Sequence, residues 1–218
     1  MSQKLQFEDE RAVVSELGRE MLAQGLTKGT GGNVSQLCAD GETVAINPSG
    51  VPYEEVDPED VPLVTLDGEQ VAGDLEASSE TPMHAMLLRQ RDDIGGVVHT
   101  HSPYASTFAS LGQPIPASHY LIAFAGDRVP VAGWERPGSE ALGELAAEAM
   151  GDDYDACLLQ NHGTIAVGET TAEAFEVSMM IEYCARIHFQ ALAIGNPIIL
   201  PDEEVDHLRS VFADYGQH

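Results

Sequence analysis

The stretch Ile94-Gly95-Gly96-Val97-Val98-His99-Thr100-His101 decides how this chain is read. Its apolar run is predicted as a buried strand, and it ends on two histidines spaced two residues apart. Positions i and i+2 of a strand share a face, so both imidazoles point the same way. Neutral imidazole nitrogen is a good zinc ligand, and two on one face at a strand end can close on one ion. The pair also fits a plainer reading, with one histidine in the core and one in solvent.

Outward from this strand, helices alternate with short strands. A helix is predicted over residues 79–91, with Pro82 tolerated in its first turn. After the strand come a helix over 103–111, a short strand over 128–132 and an alanine-rich helix over 139–150. A strand over 156–160, a long helix over 170–194 and a last helix over 202–215, started by Pro201, complete the C-terminal half. Toward the N-terminus, Val13, Val14, Leu17, Met21 and Leu22 recur at helical spacing, in a helix that stops near Gly25. Thr27-Lys28-Gly29-Thr30-Gly31-Gly32-Asn33 is too rich in glycine for helix or regular strand. Strands over 34–37 and 43–46 flank Asp40-Gly41, a hairpin signal, and 63–66 with Gln70-Val71 suggest a second hairpin around Asp67-Gly68. Pro48, Pro52, Pro58 and Pro62 punctuate the stretch between. With no repeat, low-complexity tract or linker, residues 1–218 are expected to form a single α/β domain around a mixed sheet.

Composition narrows the function. The 218 residues carry 36 acidic and 10 basic side chains, a formal net charge of −26, and are 43% hydrophobic, enough apolar material for a packed core. Such a surface repels phosphate backbones and anionic leaflets, so neither nucleic acid nor a membrane surface is expected as a partner. Only Lys4 and Lys28 are lysines; the other eight basic residues are arginines. That skew points to a salt-rich (halophilic) cytoplasm, where carboxylates keep a protein soluble. It also leaves few lysines for Schiff-base chemistry. Cys38, Cys157 and Cys184 are odd in number and lack CxxC spacing, so they read as reduced, buried thiols. No apolar signal core follows Met1, and no run reaches the ~18–20 apolar residues of a membrane span. A cytoplasmic protein is expected.

Further metal-ligand candidates stand apart in sequence. His162 follows an apolar strand and precedes Gly163, where a strand gives way to a loop. Glu80 stands at the start of the predicted helix. Three histidines and a carboxylate would make a tetrahedral zinc site from which the carboxylate can withdraw. His84, one turn after Glu80, reads as structural, and His119, His188, His207 and His218 have weaker cases still. Gly31-Gly32-Asn33, Ser49-Gly50 and Ser78-Ser79 look built for an anion, through backbone N–H groups with added hydroxyls. The same segments also fit an ordinary tight turn and a plain helix cap. Neither the P-loop ending nor the dinucleotide fingerprint is present.

Taken in order, Gly-Thr-Gly-Gly-Asn-Val-Ser, Pro-Ser-Gly-Val-Pro-Tyr, Ser-Ser-Glu, His-Thr-His, His-Tyr and Asn-His-Gly resemble the class II aldolase/adducin family. The likeness runs from about Met21 to the C-terminal Asp-Tyr-Gly, and is strongest to the branch acting on deoxyketose 1-phosphates such as L-fuculose 1-phosphate. The resemblance implies a mostly antiparallel mixed sheet flanked by helices, and one zinc per subunit held by His99, His101 and His162. Glu80 would be a resting-state ligand and the acid/base. Gly32, Asn33, Ser49, Gly50, Ser78 and Ser79 would surround the phosphate. Tyr120 matches a tyrosine that reaches in from a neighbouring subunit to protonate the aldehyde oxygen, and Tyr215 a C-terminal tyrosine that helps close the site. The assembly implied is a homotetramer with interfacial active sites. The implied reaction is reversible cleavage of a ketose 1-phosphate into dihydroxyacetone phosphate and a lactaldehyde-like aldehyde. Epimerase, dehydratase or decarboxylase chemistry on the same metal, or a non-catalytic interaction module, are the alternatives. Arg136-Pro137-Gly138-Ser139-Glu140 departs from the pattern where the aldehyde pocket is shaped, and Ser118-His119-Tyr120-Leu121 lacks the aspartate of the sister epimerases.

Overall fold

Alternating apolar residues and tight turns leave the chain one economical solution, a sheet with helices on both faces. The computed structural model describes residues 5–213. The main sheet contains β1 (Asn33–Leu37), β2 (Thr43–Ile46), β3 (Leu63–Thr65), β4 (Gln70–Ala72) and β5 (Gly96–Thr100). A two-stranded ribbon of β6 (Ile115–Pro116) and β7 (Arg128–Val129) stands apart from it. Then β8 (Val131–Ala132), β9 (Ala156–Leu159) and β10 (Gly163–Gly168) complete the main sheet. Its order is β4-β3-β2-β1-β5-β10-β9-β8. Neighbours run antiparallel, except β8 beside β9. This is the mixed, mostly antiparallel sheet expected.

The two sheet faces bury different helices because successive side chains alternate. Val97 of β5, with Val44, Ile165 and Val167, packs under α2 (Thr81–Gln90) and α4 (Glu140–Met150) through Met83, Leu87, Leu142 and Ala146. Val98 points the other way, joining Met21 of α1 (Glu8–Ala23) and Phe175 of α5 (Thr171–Ile194). On that second face α3 (Pro103–Leu111) and α5 cover Leu158 and Ala166. The last helix, α6 (Asp202–Ala213), adds Val205 to the same cluster. Capping follows local chemistry: Thr170 and Glu173 form a reciprocal capping box at α5, and Pro82 sits in the first turn of α2. All three cysteines are buried and free, and burial pushes each thiol up, away from reactivity. Among the described residues no helix is long and apolar enough to cross a membrane.

Two expectations are corrected. The single strand over 128–132 is split by Pro130, which has no N–H to continue a ladder. Arg128–Val129 pairs with β6, while Val131–Ala132 joins the main sheet beside β9. The second correction is larger. Residues after His162, read as a loop, form β10, a central strand. The turn is tight because Asn161 takes a left-handed φ of 56°, which asparagine tolerates. The hairpin carries no Asn-Gly or Asp-Gly signal, and Gly163 read as the start of a loop. The last helix is described as far as Ala213, so the portion expected to reach Tyr215 lies outside the described residues.

Gly96 exposes how tightly α5 enters over β5. A Cβ placed there would lie 2.2 Å from Thr171 Cα and 2.3 Å from its N, both backbone atoms. Gly96→Ala should therefore destabilise by at least about 3 kcal/mol, the upper range for overpacking. Gly195→Ala, with nothing within 4 Å of the new Cβ, serves as control. Urea midpoints of the two variants check this; equal midpoints would contradict it.

Candidate metal centre

Strand register brings the site together. Asn33 of β1 lies opposite His99 of β5, and His99 lies opposite Ile165 of β10, so the start of β1, the end of β5 and the start of β10 share one end of the sheet. Cross-strand partners share a face, so Asn33 and His99 sit on the side covered by α2. His101 follows two residues later, and His162 ends the β9–β10 turn one residue before Gly163. Glu80 is the residue before α2 and makes no cap to its own helix. Its carboxylate turns instead to the histidines, with Oε2 3.1 Å from His99 Nε2 and Oε1 3.4 Å from His162 Nε2. The His99 and His101 Nε2 atoms are 3.0 Å apart. One potential ligand atom from each of Glu80, His99, His101 and His162 falls within 4.8 Å of the others.

This donor set fits a cation. The His99 ring is fully buried, and its Nδ1 is 2.7 Å from the Thr164 carbonyl, which can only accept. Nδ1 therefore carries the proton, and in the neutral ring Nε2 turns a lone pair toward Glu80 and His101. A backbone carbonyl on the outer nitrogen is the usual way a protein orients a ligating imidazole. Glu80 Oε1, which His162 faces with Nε2, is buried without a hydrogen-bond partner. Lone pairs converging on one point repel until a positive charge stands among them. The residues present thus fit a divalent ion held by three nitrogens and one oxygen.

The electrostatics agree. Burial alone would raise the Glu80 pKa. The facing His99, the hydrogen bond from the Asn33 amide and the nearby His162 outweigh it and hold the carboxyl well below its ordinary range. Burial, followed by the proximity of His99 and, at His101, of His162, lowers His101 and His162 to about 4. Both imidazoles are thus neutral at physiological pH, the form that ligates.

The other expected residues fall into three groups. Gly32, with φ 69°, brings the glycine loop within contact of β5: a Cβ there would lie 2.7 Å from the His99 carbonyl. Ser49 and Gly50 are drawn to Ser78 and Ser79 by a bridge between Pro48 and Ala77, with Ser78 N donating to Asn47 O at 3.0 Å. The Ser49 amide donates to Glu76 O at 2.8 Å, so two of the amides expected for an anion are taken by the protein itself. Asn33 is tied by its side chain to Ser78 and Glu80. Tyr120, by contrast, is 48% exposed, and its ring neighbours are His119 and Phe212. Tyr215 lies outside the described residues. Reading the sequence missed the Thr164 carbonyl, which depends on the unexpected β10. It also assigned nothing to Tyr53, whose buried hydroxyl donates to Gly32 O at 2.6 Å and pins the glycine loop. The Pro-Ser-Gly-Val-Pro-Tyr motif was its only signal.

A family model described as Class II Aldolase and Adducin N-terminal domain matches residues 12–189. The chain is 47% identical over 211 residues to a 5-deoxy-D-ribulose 1-phosphate aldolase of Bacillus thuringiensis serovar kurstaki, covering 97% of this chain and 99% of the relative. To a 5-methylthioribulose-1-phosphate/5-deoxyribulose-1-phosphate aldolase of Rhodospirillum rubrum it is 37% identical over 201 residues, 92% of this chain and 89% of the other. Among solved structures, an L-fuculose 1-phosphate aldolase matches with a TM-score of 0.90 at 38% identity, covering 94% and 96% of the two chains.

Metal binding should be readable in stability. At a thousandfold excess over its dissociation constant, a divalent ion stabilises by about 4 kcal/mol. At roughly 2–4 °C per kcal/mol for a chain of this size, chelation should lower the melting temperature by about 8–16 °C and zinc should restore it. His99→Ala and His162→Ala should abolish that response. A response that survives both would place the metal elsewhere.

Proposed function

The chain belongs to the class II aldolase/adducin family, and from that membership we propose that its substrate is a deoxyketose 1-phosphate. The class of reaction is that of a metal-dependent aldolase, a carbon–carbon lyase. Within it, we take 5-deoxyribulose 1-phosphate ahead of L-fuculose 1-phosphate, cleaved reversibly to dihydroxyacetone phosphate and acetaldehyde or lactaldehyde respectively. The observation that carries the reading is the closed set of Glu80, His99, His101 and His162 beside a hydroxyl-bearing loop pair. The order of preference rests on the 47% identity to a 5-deoxyribulose 1-phosphate aldolase. It draws further support from the departing segment around Arg136, which rests on the site: a Cβ on Gly138, at φ 78°, would lie 2.5 Å from the Ser79 carbonyl.

In the proposed cycle His99, His101 and His162, with Glu80 at rest, would hold zinc, an ion suited to nitrogen and oxygen donors. The ion when bound would supply Lewis-acid stabilisation of the negative charge that develops beside the carbonyl as the C3–C4 bond breaks. Gly32, Asn33, Ser49, Gly50, Ser78 and Ser79 surround the phosphate, chiefly through the exposed hydroxyls of Ser49 and Ser79. Glu80 moves the proton at C3, its unpartnered Oε1 being the oxygen available for it. Tyr120 of a neighbouring subunit takes the C4 hydroxyl proton in cleavage and returns it in condensation, with Tyr215 helping to close the site. This requires interfacial sites, and we take the assembly to be a homotetramer. Exposed Tyr120, Trp134, Tyr183, Phe189 and Leu192, 45–52% accessible in one chain, support covered surfaces in such an assembly. Residues 1–218 form one domain in this reading, and the charge of −26 suits a salt-rich cytoplasm.

Three measurements test it. In molar KCl with zinc bound, dihydroxyacetone phosphate should appear from 5-deoxyribulose 1-phosphate faster than from L-fuculose 1-phosphate. Absence of that product from both sugars would refute the reading, and an isomeric sugar phosphate would reveal an epimerase. Glu80→Gln should retain metal yet lose about 10²–10⁴ in turnover, the usual worth of a positioned acid/base. Tyr120→Phe should slow sugar cleavage more than proton exchange on dihydroxyacetone phosphate. Equal slowing would remove Tyr120 from proton transfer.

A further inference from the structure

Beneath the proposed metal centre runs a line of buried side chains that the reaction just described leaves unused. Asn33 and Ser35 alternate onto the same face of β1, and His84 stands one helical turn after Glu80 on α2, so all four meet between strand and helix. The His84 ring is fully buried, with Nδ1 2.7 Å from Ser35 Oγ and Nε2 2.5 Å from Asn33 Oδ1. Asn33 Nδ2 in turn lies 3.0 Å from Glu80 Oε2 and 3.1 Å from Ser78 Oγ.

The direction of every bond in this line is forced from one end. An ionised carboxylate only accepts, so the Asn33 amide must turn its NH2 toward Glu80 and its oxygen toward His84. That oxygen only accepts, so His84 Nε2 carries the proton. In a neutral ring Nδ1 then accepts, and the Ser35 hydroxyl donates. Both ring nitrogens are thereby committed, and neither faces His99, His101 or His162, which removes His84 from the ligand set. The consequence falls on Glu80. Its Oε2 is held by Asn33, while Oε1 is left without a hydrogen bond. The same amide grips Ser78, so one side chain ties the acid/base to the serine pair. Were His84 unable to donate, the Asn33 oxygen would be buried without its donor, and only the NH2 contacts to Glu80 and Ser78 would hold the amide in place.

We propose that His84 is a positioning residue: acting through Asn33, it fixes the Glu80 carboxylate by Oε2 and so leaves Oε1 as the oxygen that exchanges the substrate proton. This rests on the assignment of Glu80 as acid/base above. It extends it to three residues, His84, Ser35 and Asn33, and gives Asn33 a task at the carboxylate in addition to the phosphate.

The test is a double-mutant cycle on the full, zinc-loaded chain with 5-deoxyribulose 1-phosphate. A lost buried hydrogen bond to a charged network is worth roughly 1.5–3 kcal/mol, so His84→Leu should lower kcat about 10- to 100-fold with one zinc retained per chain. Asn33→Ala should cost about as much, and the double variant no more than Asn33→Ala alone, because both act on one interaction. His84→Gln, which keeps a donor and an acceptor, should recover most of the rate. Multiplied effects in the double variant, or His84→Leu with wild-type kcat, would overturn the proposal. If His84→Leu does not fold, Ser35→Ala takes its place in the cycle with Asn33→Ala, judged by the same rule. Nitrogen NMR of 15N-histidine protein needs no substrate. It should show His84 protonated at Nε2, and protonation at Nδ1 would overturn the relay. A wild-type chain that cleaves no sugar would instead refute the functional reading.

Discussion

The hydrogen bond from His99 Nδ1 to the Thr164 carbonyl is the contact on which the site depends. It exists only because β10 lies beside β5 in a register that sets Ile165 opposite His99 and Thr164 opposite Thr100. Slipping that register by one residue would turn His99 to the face covered by α1 and α5, and bury Val98 under α2 in its place. The metal centre and the hydrophobic core are therefore set by one alignment. The two apolar residues that precede His99 enforce it, since Val97 and Val98 are claimed by opposite cores.

A second constraint is charge. A chain of net charge −26 is read here as handling an anion, and its few cations are mostly engaged elsewhere. Arg19, Arg89, Arg91, Arg128 and Arg209 pair with carboxylates, and Arg11 binds backbone carbonyls beneath β3. Positive potential at the proposed site must come from the cation the four ligands can hold and from oriented donors. In the proposed site the exposed hydroxyls of Ser49 and Ser79 would supply such donors without the desolvation cost of burying a lysine. Most of the other carboxylates belong to the surface, where water and salt screen them.

Much of the fold was legible because its signals are local. The amphipathic helices, the Asp40-Gly41 hairpin and the long α5 follow from periodicity and turn chemistry. β10 was missed because its hairpin hides in a turn without the usual glycine pair, and the strand over 128–132 was overextended because Pro130 divides it between two sheets. The site shows the same division. His99 and His101 announce themselves by spacing. His162 and Glu80 were single residues joined to them by donor chemistry and by the order of motifs. His84 was rightly set apart from the ligands, yet nothing in the sequence joined it to Asn33, 51 positions away.

By itself, the sequence determined the class of fold, the family and the four metal-ligand candidates, because side-chain chemistry and local periodicity are written along the chain. Only the tertiary structure decided which donor faces which acceptor. It showed that Glu80 turns away from its own helix, that one oxygen of its carboxylate is held and the other is not, and that Asn33 is committed through His84 and Ser35. Those facts depend on strand register and on where α2 crosses the sheet. Hydrogen-bond direction is a property of contacts between segments remote in sequence, so no single segment can carry it.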